Sequence, residues 1–175
     1  MSKQIAVLGL GAMGLPMASH LAKTFEVTGF DPFEERRALA AEHGVAVADS
    51  APTAASGADF VLIAVRNAAQ LEEVLHGPSG VVPVLGPGVA IILTSTVGAE
   101  AVEAEAARLA ETGIGLVDAP VSGGPVRAGE GDLLVTCGAT PEVWERAKPV
   151  LDEMAGTLVL VGDAPGKGQS MKTVN

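Results

Sequence analysis

Short apolar runs alternate with longer amphipathic stretches along most of the chain, and no other feature of the sequence restricts the fold as much. QIAVLGL is followed by GLPMASHLAKT, EVTGFD by FEERRALAAEH, ADFVLIAV by NAAQLEEVLH, and VAIILT by GAEAVEAEAARLAET. Strands separated by helices predict a parallel sheet, because the helix carries the chain back to the edge it left. IAVL, FVLIA and VAIIL show no polar alternation, as expected of strands covered on both faces. EAVEAEAARLAE, rich in Ala and charge, suits a helix with one apolar face. The expected fold is α/β: a doubly wound, mostly parallel sheet with helices on both faces.

GIGLVDAP reads as a sixth strand, and after it the rhythm changes. VSGGPVRAGEGD is expected to be a long loop dense in Gly and Pro. LLVTCGA and TLVLVG then predict extra C-terminal strands around the helix TPEVWERAKPVLDEM, which begins at Thr140 and Pro141. The last ten residues, GKGQSMKTVN, start another helix. The boundary is placed between Gly162 and Gly168: a dinucleotide-binding domain over 1–163, then the start of an interdomain helix over 164–175.

Composition narrows the function. The chain of 175 residues is 48% hydrophobic but only 3% aromatic, so Ala, Val, Leu and Ile must build the core. The 11 basic and 21 acidic residues give a net charge of −10, and no basic patch offsets it. That field repels phosphate backbones and argues against a nucleic-acid partner. Cys137 lies in an apolar run and has no second cysteine to pair with, which suits a core residue in a reduced, cytoplasmic setting. His20, His43 and His76 stand apart in sequence, so no metal site is expected. The N-terminal segment has the early lysine and apolar stretch of a secretory signal, but Gly9, Gly11, Gly14 and Pro16 interrupt it. No stretch reaches membrane-spanning length.

Gly9-Leu10-Gly11-Ala12-Met13-Gly14 matches G-x-G-x-x-G between a strand and a helix, the context that gives this pattern meaning. Gly9 permits the tight turn, Gly11 the approach of a diphosphate, and Gly14 close helix–strand packing. The helix start then offers N–H groups and partial positive charge to phosphates. A glycine-rich turn without a ligand is the plain alternative. Together with the alternating sheet, the loop predicts a Rossmann dinucleotide site. Asp31 ends the second strand, seventeen positions after Gly14. A carboxylate there accepts ribose hydroxyls and repels a 2′-phosphate, favouring NAD with NADP as the alternative. Arg36 and Arg37 either meet a phosphate or pair with Glu34 and Glu35 on a helix surface.

GLGAMGLPMASHL, STV at 95–97, DAPVSGGPVRAGEGDL at 118–133 and GKGQSMKTVN occur in the order in which similar motifs occur in the β-hydroxyacid dehydrogenases. The chain resembles the cofactor-binding half of that family, which includes 3-hydroxyisobutyrate dehydrogenase, tartronate semialdehyde reductase and 6-phosphogluconate dehydrogenase. The resemblance implies NAD(P)-dependent hydride transfer between nicotinamide and a small 3-hydroxy acid or its semialdehyde. It implies that Ser122, Gly123 and Gly124 grip the substrate, a role that a hydroxyl beside two unobstructed backbone N–H groups can fill. A mobile Gly-Gly-Pro turn is the alternative for these residues.

Lys172 matches the lysine of the family's G-x-G-x-x-x-K pattern and is implied to be the general acid/base. Near neutral pH it must release its proton more readily than a free lysine, as confinement in a closed cleft would allow. Lys167 suits a solvated helix position. Ser95 and Thr96 are implied to touch the nicotinamide end of the cofactor. Val65, Arg66 and Asn67 are implied to line the same crevice, although this chain has an arginine where relatives often have proline. Asn175 fills the first of two polar substrate-binding positions after the lysine. The second position, and the helical C-terminal domain that closes the cleft and makes much of a homodimer or homotetramer interface, are absent from this chain. It is expected to be either part of a longer enzyme or a stand-alone nucleotide-binding module without chemistry. An imine reductase on the same scaffold is a third reading, which the Ser-Gly-Gly loop and Lys172 argue against.

Overall fold

The computed structural model of the chain describes residues 3–174, with side chains for residues 3–171. The first part winds as β1 (Gln4–Leu8), α1 (Gly14–Leu21), β2 (Glu26–Phe30), α2 (Glu34–Glu42), β3 (Ala46–Val47), α3 (Ala51–Ala55), β4 (Phe60–Ile63), α4 (Ala68–His76), β5 (Ala90–Leu93), α5 (Ala99–Leu109) and β6 (Gly115–Asp118). These strands lie in the order β3-β2-β1-β4-β5-β6 and pair parallel throughout. The order reverses between β1 and β4, which opens a crevice beyond their carboxyl ends.

Adjacent residues of each strand face opposite layers, and both layers are apolar. Ile5 and Val7 of β1 join Leu62, Ile92, Met17 and Leu21 on one side. Ala6 and Leu8 join Val61, Ile63, Ile91 and Leu75 on the other. The central strands β1, β4 and β5 therefore lack polar alternation because neither of their faces meets water. Each fully buried Leu or Ile contributes roughly 1.5–3 kcal/mol of transfer free energy.

The later elements are β7 (Val121–Ser122), α6 (Gly124–Gly129), β8 (Leu133–Gly138), α7 (Pro141–Met154), β9 (Ala155–Gly162) and α8 (Lys167–Val174). β6 and β7 pair antiparallel with successive stretches of β8, and β9 runs parallel on the other side of β8. The sheet is thus mostly parallel and extended by C-terminal strands, as the sequence suggests. The segment 121–132 corrects the expected long loop. It contains β7 and the short helix α6, which has Pro125 in its first turn and Ala128 buried in the core shared with α1. Pro fixes a helical φ and a single small residue supplies the contact, too little periodicity to stand out among five glycine and proline positions.

Candidate active site

Along the carboxyl edge lies a cavity of about 1150 Å³, above the roughly 300–1,000 Å³ usual for small-molecule sites. Its walls include parts of the chain far apart in sequence, among them Gly9 to Gly14, Asp31 with Arg36, Val65 with Arg66, Thr94 to Thr96, and Val121 to Gly124. Gly9, Gly11, Ala12, Met13, Gly14, Asp31, Val65, Arg66, Ser95, Thr96, Ser122, Gly123 and Gly124 are brought together here. Leu10 turns its side chain into the core. Asn67 is not on the wall: it caps α4, its Oδ1 accepting from Gln70 N at 2.9 Å. Lys172 lies on α8, but its side chain and the whole of Asn175 fall outside the described residues.

The first turn is shaped for close approach. A Cβ on Gly14 would overlap the Gly9 carbonyl oxygen, so the helix meets the turn after β1 only because position 14 lacks a side chain, while a Cβ on Gly9 would overlap the carbonyl oxygen of Ala64 beyond β4. No side chain caps the start of α1, and its first turn holds no acid. The positive end of that helix faces the cleft, which fits a diphosphate.

Asp31, 5% exposed, clamps this turn from β2. Its Oδ2 accepts from Leu10 N at 2.8 Å and its Oδ1 from Phe33 N at 2.9 Å. Each carboxylate oxygen has a further lone pair, so these bonds leave room for a hydroxyl. Arg36 and Arg37 do not pair with Glu34 or Glu35; among the described residues neither forms an ion pair. Residues one or two apart on a helix do not face each other, which rules out Arg36 with either acid. Arg36 instead stacks over Phe33, with its Nη1 2.6 Å from where a Cβ on Gly11 would be. Arg37 donates to the carbonyl oxygens of Asp31 and Pro32 at 2.8 and 3.3 Å.

The opposite wall is built by strand ends that hold one another. Ser95 Oγ accepts from Val65 N at 2.7 Å, and Thr94 Oγ1 donates to Ile63 O at 2.9 Å. Behind this wall lies a polar cluster that sequence reasoning missed. Asp118 and Gln169, both fully buried, are joined by Gln169 Nε2 donating to Asp118 Oδ1 at 2.8 Å. Burial pushes the Asp118 carboxyl above its ordinary range, opposed by the donors from Gln169 and Gly166. The signal was present: a charged residue ending the apolar run GLVD needs a buried partner. What the sequence does not disclose is that the partner lies fifty-one positions later.

Burial, with the Asp118 charge nearby, pushes the Cys137 thiol up to about 12, so it is an inert core residue. The histidines are less isolated than their spacing suggests. His20 Nε2 lies 3.2 Å from Glu153, and His76 Nε2 lies 2.5 Å from Glu105. Glu72 joins the His76–Glu105 pair, and Arg108 neutralises it at 2.6 Å. Among the described residues no helix is long and apolar enough to cross a membrane.

Residues 4–162 match the family model described as the NAD binding domain of 6-phosphogluconate dehydrogenase. The chain is 35% identical over 173 residues to an L-threonate dehydrogenase of Escherichia coli K12, covering 98% of this chain and 57% of that protein. It is 37% identical over 175 residues to a 2-(hydroxymethyl)glutarate dehydrogenase of Eubacterium barkeri, covering 99% of this chain and 58% of that one. A solved structure of Mycobacterium tuberculosis 3-hydroxyisobutyrate dehydrogenase with L-serine superposes with a TM-score of 0.93 at 35% identity, covering all of this chain and 59% of that one. The chain therefore spans little more than half the length of these relatives. With a glycine turn shaped for a diphosphate and a family model matched along almost the whole sheet, the chain belongs to the family of the NAD-binding domain of 6-phosphogluconate dehydrogenase.

Proposed function

We propose that this chain is the cofactor-binding part of an NAD-dependent dehydrogenase acting on a small 3-hydroxy acid, or in reverse on its semialdehyde. One observation carries the reading: Gly9–Gly14, Asp31, Ser95–Thr96 and Ser122–Gly124, up to 115 positions apart, share one cleft at the carboxyl edge of the sheet. The backbone of Gly11 to Gly14 and the start of α1 receive the diphosphate. Asp31 accepts from the adenosine ribose, which favours NAD over NADP. Val65, Arg66, Ser95 and Thr96 line the nicotinamide end. When bound, the nicotinamide accepts or returns the hydride.

Ser122, with the backbone of Gly123 and Gly124, holds the substrate carboxylate. Both glycines take positive φ (137° and 81°), which turns the chain out of β7 so that Ser122 and the two glycines line the cleft. Lys172 removes the hydroxyl proton during oxidation and restores it during reduction. Asn175 helps orient the substrate. In this reading residues 1–163 form the dinucleotide domain and 164–175 begin the helix into a second domain of the complete protein. That protein is cytoplasmic and homo-oligomeric; the buried thiol of Cys137 and the half-exposed Val159 and Leu160 on the edge strand β9 support this.

The test is a screen of three- and four-carbon hydroxy acids with NAD and NADP, using the complete gene product and its Lys172→Ala variant. Turnover should fall by about 10²–10⁴ in the variant with NADH affinity retained. Retained turnover would remove Lys172 from the chemistry. Cofactor binding without turnover of any hydroxy acid by the complete protein would leave a nucleotide-binding module.

A further inference from the structure

The Gln169 side chain uses its full hydrogen-bonding capacity inside the protein. Nε2 donates to Ser95 O at 2.9 Å and to Asp118 Oδ1 at 2.8 Å. Oε1 accepts from Val97 N at 2.8 Å and from Gly98 N at 2.9 Å. An amide offers two donors and two acceptor lone pairs, and here all four are used. The orientation is fixed, since a flipped amide would set NH₂ against two N–H groups and oxygen against a carbonyl and a carboxylate.

Asp118 completes the arrangement from the end of β6. Its Oδ2 accepts from Gly166 N at 2.8 Å and from Gln169 N at 2.9 Å, so a strand residue caps the start of a distant helix. Gly168 makes the approach feasible: a Cβ there would lie 2.7 Å from Asp118 O and 2.8 Å from Thr136 O. Ser95 extends the same chain of bonds to Val65 on the cleft wall. The wall proposed for the nicotinamide and the first turn of α8 thus belong to one network of buried hydrogen bonds, and Lys172 follows Gln169 by three residues in that helix.

We propose that Asp118 and Gln169 are positioning residues: a buried latch that locks the start of α8 to the ends of β5 and β6 and so sets where Lys172 stands relative to the cofactor cleft. The proposal rests on Lys172 being the acid/base. Nothing in the cleft itself requires these two residues, and neither contacts its lumen. Their effect on turnover passes through the placement of α8.

The test compares Gln169→Met, Asp118→Asn and Lys172→Ala in the complete protein. Gln169→Met keeps the side-chain length and leaves Ser95 O, Val97 N and Gly98 N without their partner. Displacement of about 1 Å costs up to about 100-fold in rate, so kcat of Gln169→Met and Asp118→Asn should fall about 10- to 100-fold with the NADH dissociation constant near wild type. The limb of the pH–kcat profile that disappears in Lys172→Ala should shift to higher pH in both latch variants, as a less confined ammonium would. Wild-type kcat and profile in the latch variants, beside an inactive Lys172→Ala, would overturn the latch alone. An active Lys172→Ala would overturn the reading beneath it as well. Because the variants risk misfolding, hydrogen exchange on the unaltered chain gives a second readout. The amides of Gly166, Gln169, Val97 and Gly98 should exchange as slowly as those of β5, and fast exchange there would overturn the latch.

Discussion

Two helices of this protein start at the carboxyl edge of the same sheet, and they treat the positive end of the helix in opposite ways. At α1 no side chain caps the first turn, glycines hold strand and helix together, and the N–H groups face a cavity. At α8 the chain supplies its own anion: Asp118, fully buried, accepts from Gly166 N and Gln169 N. The first arrangement leaves a place for a ligand's charge. The second uses a carboxylate from β6 to fix a helix against the sheet. The difference teaches that a glycine-rich helix start alone does not identify an anion site. What surrounds the N–H groups decides between ligand and internal cap.

The comparison can be broken from either side. Asp118→Ala should have the largest effect on stability, because two backbone donors and one amide donor lose their acceptor at about 1–3 kcal/mol each. Urea denaturation should show a loss of at least about 3 kcal/mol, with NADH affinity within a few-fold of wild type. Gly14→Ala works at the open end, where the added Cβ overlaps the Gly9 carbonyl. Overpacking of this kind costs about 1–3 kcal/mol, and here NADH affinity should fall at least about tenfold as the turn spreads. A stable Gly14→Ala protein with unchanged NADH affinity would remove the close packing from the account.

Asp31→Ala sharpens the open end further. Leu10 N and Phe33 N lose their acceptor, at about 1–3 kcal/mol for a buried donor. Fluorescence titration should also show the preference for NADH over NADPH narrowing once the carboxylate is gone. The smallest effect is that of pH. Burial raises the folded-state pKa of Asp118 above its ordinary 3.8, so the folded protein holds this proton more tightly than the unfolded chain. The resulting stabilisation is complete below about 3.8 and is lost as pH rises through the raised folded value. Denaturation of wild type and Asp118→Asn across that window should therefore show the variant gaining relative stability with rising pH. A difference that stays flat would mean the carboxyl titrates as in the unfolded chain.

Most of the sheet was legible because its physics is local. Uninterrupted IAVL, FVLIA and VAIIL report burial on both faces, and the glycines of GLGAMG report a turn that side chains would block. Helix α6 was hidden because six residues, Gly124–Gly129, offer less than two turns of pattern amid Gly and Pro. Of the two readings of the α2 arginines, pairing with Glu34 or Glu35 fails, because Arg36 follows the two acids too closely to face them and Arg37 finds backbone carbonyls. The pairing of Asp118 with Gln169 was invisible for another reason. Nothing local announces that a strand-ending acid will cap a helix begun nearly fifty residues later; only the wound topology brings them together.

The most direct test of the central claim, that a dinucleotide seats at the open start of α1, is titration of this chain with NADH followed by nicotinamide fluorescence, alongside its Gly14→Ala variant. Saturable one-to-one binding that weakens at least about tenfold in the variant is the predicted result. No saturation at millimolar NADH, or equal binding by the two proteins, would contradict the account.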